Sequence, residues 1–158
     1  MSGVQNEVPL RCSGVAVVLL KNTPSGYKVL LLKRATSVLS GVWCYIGGSI
    51  EEGEKAWEAA LREIREETGI TRLTLFTSNK FDQFYSAKEN YIYIAPVFVG
   101  YVDDDQEVIL NYEHNEYEWL TINEALEKVE IPGNDEVLEF IEKHFVINYP
   151  SEWLHVEM

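Results

Sequence analysis

Residues 48–70 read GSIEEGEKAWEAALREIREETGI, and this stretch decides most of the fold that the sequence predicts. A glycine pair ends at Gly48, and the pattern from Lys55 to Thr68 then has the period of an amphipathic α-helix. Gly69 follows, and glycine is the residue that most often ends a helix in the left-handed conformation. The stretch therefore predicts a loop followed by one helix.

The glutamates of this helix lie on a face that also carries alanines. With about 100° between successive residues, Trp57, Leu61 and Ile64 form one stripe, which we expect to face the core. Glu63 and Glu67 project between small residues instead, namely Ala56, Ala59 and Ala60. A solvated acidic face is the ordinary interpretation of such a charge run, but it does not explain alanines one turn before the charges.

Three carboxylates crowd the last turns of the helix. Glu63, Glu66 and Glu67 are i,i+3 and i,i+4 neighbours, and like charges at these spacings repel by about 0.2–0.5 kcal/mol per pair. The C-terminal end of a helix disfavours anions further. A bound divalent cation would account for the cluster, and oxygen ligands without His or Cys select a hard ion, Mg²⁺ or Mn²⁺.

The same stretch resembles the signature of the Nudix (MutT-type) hydrolases, Gly-x5-Glu-x7-Arg-Glu-U-x-Glu-Glu-x-Gly-U with U aliphatic. Every fixed position is present: Gly48, Glu54, Arg62, Glu63, Ile64, Glu66, Glu67, Gly69 and Ile70. The resemblance implies an α/β fold, the Nudix α/β/α sandwich with a mixed β-sheet, the signature loop and helix on one side, and C-terminal helices. It also implies a single Nudix hydrolase domain over residues 1–158, with its core at about residues 10–147 and the signature at 48–70.

The remaining pattern agrees with a mixed α/β layered fold. Two apolar runs, 13–20 and 27–32, flank a Pro- and Gly-containing turn and predict a β-hairpin. Further strands are predicted at 73–76, 80–85, 91–101 and 117–120, and amphipathic helices at 122–129 and 135–144.

Composition narrows the class of partner. The chain has 158 residues and a net charge of −13, which disfavours binding to a nucleic-acid backbone. No apolar run reaches the 18 or so residues of a membrane helix, and no secretory signal is recognisable at the start. Cys12 and Cys44 form no metal or redox spacing, so we expect reduced thiols in a cytoplasmic protein, as a monomer or a homodimer.

The resemblance assigns roles to the signature residues. Nudix enzymes cleave nucleoside diphosphates linked to another moiety, with water attacking phosphorus and divalent metals bound at the signature helix. By similarity, Glu63, Glu66 and Glu67 would be metal ligands for Mg²⁺ (or Mn²⁺), and the Gly48 carbonyl would add to the site. The metal would also reconcile an acidic protein with a polyanionic substrate.

Glu54 and Glu113, which flank the helix in the sequence, each have more than one interpretation. Glu54 would pair with Arg62 to hold the loop against the helix, or it would cap the helix N-terminus. Glu113, which precedes a Trp on a later loop as in the family pattern, would be a further metal ligand, the general base for water, or a surface glutamate. A lone loop histidine such as His114 is expected to be solvated.

Substrate-binding candidates lie elsewhere in the chain. Arg34 sits where related enzymes carry a basic residue that reaches phosphates, and the alternative is a surface salt bridge. Asn134 resembles a base-contacting position, although Asn before a helix is also a standard N-cap. Five strand aromatics include candidates for stacking a base, but such residues usually pack in the core: Phe81, Phe84, Tyr85, Tyr91 and Tyr93.

The favoured function is a metal-dependent pyrophosphohydrolase of (deoxy)nucleoside triphosphates or similar triphosphates, acting on phosphoric anhydride bonds. Residues 113–120 resemble both dihydroneopterin-triphosphate-type and dinucleoside-polyphosphate (Ap4A-type) hydrolases, and the Pro-Pro-Lys-Gly-His run associated with the latter is absent. An ADP-sugar hydrolase would be expected to carry an extra N-terminal segment. A non-catalytic nucleotide-binding module and an accidental match remain as alternatives from other classes.

Overall fold

The computed structural model describes residues 6–103 and 105–158, and eight strands in these ranges form one mixed β-sheet. Positions 1–5 and 104 of the predicted domain lie outside the described residues. The strands are β1 (Leu10–Arg11), β2 (Gly14–Thr23), β3 (Gly26–Arg34), β4 (Trp43–Cys44), β5 (Ile46–Ser49), β6 (Leu73–Ser86), β7 (Tyr91–Val102) and β8 (His114–Leu120). The helices are α1 (Ala56–Thr68), α2 (Ile122–Lys128) and α3 (Asn134–Ile141), which continues as a π-helical segment (Glu142–Ile147), and a short 3₁₀ turn lies at Glu152–Leu154.

The predicted hairpin lies at the centre of the sheet. β2 runs antiparallel to β3, with Thr23 opposite Gly26, and parallel to β7, with Val18 opposite Val99. Alternate residues of β2 and β3 enter two separate cores, one on each face of the sheet, which explains why both runs are almost continuously apolar. Helix α1 covers one core and α2 with α3 covers the other, so the predicted α/β/α sandwich is confirmed.

Helix α1 forms where the sequence predicts it and ends at Gly69, whose φ is +76°. The predicted buried stripe is wrong in part. Trp57 and Leu61 are only partly buried, whereas Ala59 and Ala60 are fully buried beside Ile64. Because the helix packs closely against the sheet, small residues make the central contact and the large side chains lie at its flanks.

Two strand boundaries also differ from the prediction. The strands predicted at 73–76 and 80–85 are one strand, β6, with a shift of register between Thr77 and Phe81 where Asn79 has a φ of +62°. β8 begins at His114, three residues before the predicted start. None of the helices within residues 6–103 and 105–158 is long and apolar enough to cross a membrane.

Candidate active site

The glutamates of α1 are buried in the manner that the alanine pattern suggested. Glu63 is 7% exposed and Glu67 is 1% exposed, and the two carboxyl groups are close enough to interact. Burial, followed by the neighbouring Glu63, raises the pKa of Glu67 to about 10. The Oε2 atom of Glu67 is fully buried and has no hydrogen-bond partner among the described residues. Such an orphaned acceptor is costly unless a ligand serves it.

Gly48 makes room for this carboxyl pair. It lies in β5 opposite Val15 of β2, and a Cβ atom built on it would overlap the Glu63 carboxylate. The glycine at this position thus has a steric reason, since any side chain here would displace Glu63.

Arg62 joins the preceding loop to the helix. Its guanidinium donates to both Glu54 oxygens, at 2.7 and 3.0 Å, and to the Ser49 carbonyl at 2.8 Å. It also donates to Glu63 at 2.8 Å and to Glu66 at 3.2 Å. Hydrogen bonding from Arg62 lowers the pKa of Glu54. Of the two interpretations of Glu54, the geometry therefore supports the ion pair.

The cap position of α1 excludes the other interpretation of Glu54. Lys55 is the N-cap residue, and its backbone N–H donates to the Glu58 carboxylate at 2.9 Å.

The carboxylates do not form a closed metal cage. No group of three or more His, Cys, Asp or Glu side chains within residues 6–103 and 105–158 is arranged to hold a metal ion. The side chain of Glu66 is 49% exposed and accepts a hydrogen bond from Arg62, whereas Glu63 and Glu67 are buried. The orphaned Glu67 oxygen, the space left by Gly48 and an oxygen-only donor set nevertheless fit a hard divalent cation.

The residues before and at the start of β8 approach the same carboxyl pair. Glu113 is partly buried, and burial together with the charge of Glu63 raises its pKa. His114 is buried rather than solvated, with Nδ1 3.5 Å from Oε1 of Glu67, so that expectation is wrong. Because the strand starts at His114, its side chain turns inward, and burial lowers its pKa to about 4. His114 is therefore neutral at pH 7.

Arg34 was predicted either to bind phosphate or to form a surface salt bridge, and in the structure the salt bridge belongs to its neighbour Lys33. Lys33 forms the surface ion pair, with Nζ 2.9 Å from Glu116. The pairing of β3 with β8 shifts register between the two residues, and Arg34 lines a cavity, where its Nε donates to the Val38 carbonyl at 2.9 Å. The positive charge of Arg34 acts against the rise in the pKa of Glu113.

This cavity has a volume of about 890 Å³ and connects the signature region with α3. Gly48, Arg34 and Glu113 line it on the acidic side. Its other end is formed by side chains from four segments of the chain: Tyr45, Asp82, Phe84, Tyr93 and Asn134.

Asn134 belongs to the far end of the cavity and is not a helix cap. Gly133 is the N-cap residue of α3, and the Asn134 side chain is buried. The hydroxyl oxygen of Tyr45 lies 2.9 Å from Oδ1 of Asn134 and 2.6 Å from Oδ1 of Asp82. Tyr45 and Asp82 were not singled out from the sequence, because neither periodicity nor spacing marks them.

The strand aromatics are mostly outside the core, contrary to the expectation. Phe81, Phe84 and Tyr85 are 48%, 54% and 56% exposed. Phe84 stacks on its cross-strand neighbour Tyr93, with ring centroids 5.0 Å apart and planes 24° apart. The Tyr93 hydroxyl occupies the space where a side chain on Gly14 would stand.

A family comparison agrees with this geometry: the NUDIX domain model matches residues 10–141. The chain belongs to the Nudix family. Its relatives include a nucleoside triphosphatase and a triphosphate pyrophosphohydrolase, and they support a hydrolase that acts on phosphoric anhydride bonds.

Each curated relative matches this chain over part of its own length. An octanoyltransferase of Myxococcus xanthus is 32% identical over 133 residues, which are 83% of this chain but 36% of that protein. The nucleoside triphosphatase NudI of Escherichia coli is 33% identical over 100 residues, which are 58% of this chain and 71% of NudI. The Nudix chain thus spans about a third of the first relative, and octanoyl transfer is an attribute of that protein alone.

Two solved structures illustrate the likeness of fold. The dihydroneopterin triphosphate pyrophosphohydrolase of E. coli has a TM-score of 0.69 and 26% identity, covering 89% of this chain and 99% of that one. A binary complex of the Caenorhabditis elegans Ap4A hydrolase has a TM-score of 0.72 and 19% identity, covering 84% and 96%. At 19% identity the second comparison concerns the fold alone.

Proposed function

We propose that this Nudix domain is a metal-dependent pyrophosphohydrolase that cleaves a (deoxy)nucleoside triphosphate, or a similar triphosphate, to a monophosphate and pyrophosphate. The observation that carries the proposal is the cavity, which runs from a hydrogen-bonding, aromatic end to Gly48 and Glu113, and Gly48 packs against the buried carboxylate of Glu63. A flat heterocycle suits the first end and a metal-bound polyphosphate suits the second. The NudI relative supports a triphosphate substrate.

The acidic end would hold Mg²⁺ (or Mn²⁺) through Glu63, Glu66, Glu67 and Glu113, with the Gly48 carbonyl as a further oxygen donor. When bound, the cation would neutralise phosphate charge and lower the pKa of the attacking water. The protein keeps this donor set in place through Arg62, which ties Glu54 and the Ser49 carbonyl to α1.

The remaining residues orient the substrate. Arg34 would bind phosphate oxygens with its planar guanidinium, and Asn134 would contact the base. Glu113, whose pKa is raised by burial and by Glu63, is suited to accept the proton of the attacking water at its carboxylate if it is not a metal ligand. We further propose that the domain functions as one unit over its 10–147 core, in the reducing cytoplasm, where the free thiols of Cys12 and Cys44 stay reduced.

A panel assay tests this function. Nucleoside triphosphates, an Ap4A-type dinucleotide and ADP-ribose are each incubated with the protein and Mg²⁺ or Mn²⁺, and the products are separated by chromatography. We expect cleavage of triphosphates to monophosphate and pyrophosphate, and no cleavage in excess EDTA. Faster cleavage of the dinucleotide or of ADP-ribose would show that the proposed triphosphate is not the preferred substrate. Metal-dependent binding without any cleavage would indicate a non-catalytic module.

A further inference from the structure

A chain of three polar side chains closes the far end of the cavity. The Tyr45 hydroxyl lies between Asp82 and Asn134, but it has one proton and can donate to only one of them. The separation of 2.6 Å from Asp82 is typical of a hydroxyl that donates to an ionised carboxylate. Burial raises the pKa of Asp82, and the hydrogen bond from Tyr45 offsets part of that rise. The Tyr45 hydroxyl therefore donates its hydrogen bond to Asp82 and not to Asn134.

This proton assignment fixes the amide of Asn134. Since the Tyr45 oxygen has no second proton, it can only accept a hydrogen bond from the amide 2.9 Å away. The oxygen and nitrogen ends of an amide are told apart by their hydrogen bonds, so the NH₂ group of Asn134 belongs beside Tyr45. Its carbonyl oxygen is then the end that faces the cavity, which Asn134 lines.

The same end of the cavity offers a second free acceptor. Oδ1 of Asp82 accepts from Tyr45, while Oδ2 has no hydrogen bond to any described residue and is not sealed from solvent. Strand alternation places Asp82 and Phe84 on one face of β6, next to the stacked ring of Tyr93. A cation also lines this end, but the ammonium of Lys80 lies over the Phe140 ring, 5.6 Å from its centroid.

We propose that this end of the cavity binds a heterocycle in which an exocyclic amino group stands beside a ring N–H, the edge shared by guanine and pterins, and that Asp82 recognises it. The inference deepens the proposed function by naming the base class of the triphosphate. Two adjacent N–H groups need acceptors and no donor opposite them, and the free acceptors at this end are Oδ2 of Asp82 and the carbonyl oxygen of Asn134. Adenine presents a ring lone pair beside its amino group, and this lone pair would face an acceptor whose orientation Tyr45 fixes.

The test compares nucleotides that differ at this edge. Hypoxanthine differs from guanine only by the missing exocyclic amino group, so kcat/KM is measured for dGTP, dITP and dATP. One bidentate pair gives roughly 5- to 150-fold discrimination, and we expect dGTP to be preferred over dITP and dATP within that range. Calorimetric binding of dGMP, dIMP and dAMP without added metal provides a readout that does not depend on hydrolysis.

Variants assign the preference to Asp82. In Asp82→Asn we expect the dGTP/dITP ratio to fall to about one through KM, with kcat for dITP changed little, because the residue binds ground and transition states alike. The matched control Asp105→Asn alters a side chain that is 96% exposed, and it should keep the ratio of the unaltered protein. If Asp82→Asn does not fold by circular dichroism, Tyr45→Phe is used, which frees the Asn134 amide to turn and should raise dATP relative to dGTP.

The outcomes separate this inference from the proposed function. An unaltered protein that treats dGTP and dITP equally, or an Asp82→Asn variant that keeps the preference, overturns the role of Asp82. Selective, Asp82-dependent binding of dGMP in a protein that cleaves no triphosphate supports the inference while the proposed function fails. Absence of both cleavage and binding for every guanine nucleotide overturns the two together.

Discussion

Two acids near opposite ends of the cavity have different surroundings: Asp82 lines one end, and Glu67 is buried beside Glu63, which packs against Gly48 at the other end. Burial raises the pKa of both Glu67 and Asp82. Asp82 receives a hydrogen bond from Tyr45 and keeps its second oxygen open to the cavity, whereas Glu67 faces another carboxyl group and has a sealed oxygen without a partner. The hydrogen-bonding requirement of Asp82 is thus met in part by the protein, whereas the unpartnered oxygen of Glu67 agrees with the proposed role of this residue as a metal ligand.

The largest expected effect is at Glu67. Glu67→Gln should lower kcat on the order of 1,000-fold, because a bound cation contributes several kcal/mol of charge stabilisation and about 1.4 kcal/mol is a factor of ten. The fold should persist, since glutamine keeps the volume of the side chain. Steady-state assays and circular dichroism measure both properties. Glu127→Gln, on the exposed face of α2, is the control, and near-normal turnover of Glu67→Gln would remove the metal role that we assign.

A second substitution tests the space beside the carboxyl pair without altering an acid. Gly48→Ala should reduce activity and Mg²⁺ affinity by roughly 10- to 100-fold, the effect typical of disturbing groups that orient metal ligands. Its Cβ would overlap Glu63, whereas a Cβ on Gly47 would meet only the Val15 carbonyl at an ordinary 3.5 Å. Gly47→Ala is thus a matched control, measured by metal titration and activity. Equal effects of the two alanines would mean that crowding of Glu63 is not the cause.

The adjacent cations of β3 provide a smaller contrast. Arg34→Ala should raise KM for a triphosphate roughly 10-fold, in line with one lost hydrogen bond to a charged group. Lys33→Ala breaks a surface ion pair with Glu116 and should change the free energy of unfolding by about 1 kcal/mol or less, without affecting KM. Kinetics and urea unfolding distinguish the two variants. A larger KM effect for Lys33 than for Arg34 would reverse the assignment.

The smallest effect concerns the metal-free protein. With a pKa raised to about 10, folded Glu67 holds a proton that the unfolded chain releases above about pH 4.3, so its contribution to stability falls as pH rises through this window. His114, whose pKa is lowered to about 4, contributes little to the slope above about pH 7.5. Urea unfolding in EDTA between about pH 7.5 and 9.5 should therefore show declining stability, with a shallower decline in Glu67→Gln. Parallel slopes for the two proteins would contradict a protonated Glu67.

The sequence was most informative where local rules decide the structure. The hairpin of β2 and β3, the helix α1 and its end at Gly69 follow from turn chemistry and periodicity, and the structure confirms them. The burial of Glu63 and Glu67 could also be predicted from the sequence, because alanines neighbour them on the helix surface. The buried stripe of α1 was predicted wrongly because Trp57 is large and apolar. Where a helix packs closely on a sheet, small residues such as Ala59 and Ala60 make the central contact.

The far end of the cavity could not be derived from sequence patterns. Tyr45 follows β4, Asp82 lies on β6 and Asn134 begins α3, so their contact depends on the assembled sheet and not on spacing along the chain. The prediction that His114 is solvated was wrong for a related reason. The predicted start of β8 is three residues too late, so His114 was assigned to a loop although its side chain is buried at the start of the strand.

The glycine at the start of β2 has a consequence for anyone who wishes to alter base selectivity. Because the Tyr93 hydroxyl fills the position of a missing side chain on Gly14, even a methyl group there would push the tyrosine ring away from its stacked partner, Phe84. The absence of a side chain on Gly14 therefore determines the position of the aromatic pair against which a base would lie. Mutant libraries that vary the residues lining the cavity should therefore keep Gly14. Substitution of Gly14 alone would instead shift the Tyr93 ring without changing any lining residue.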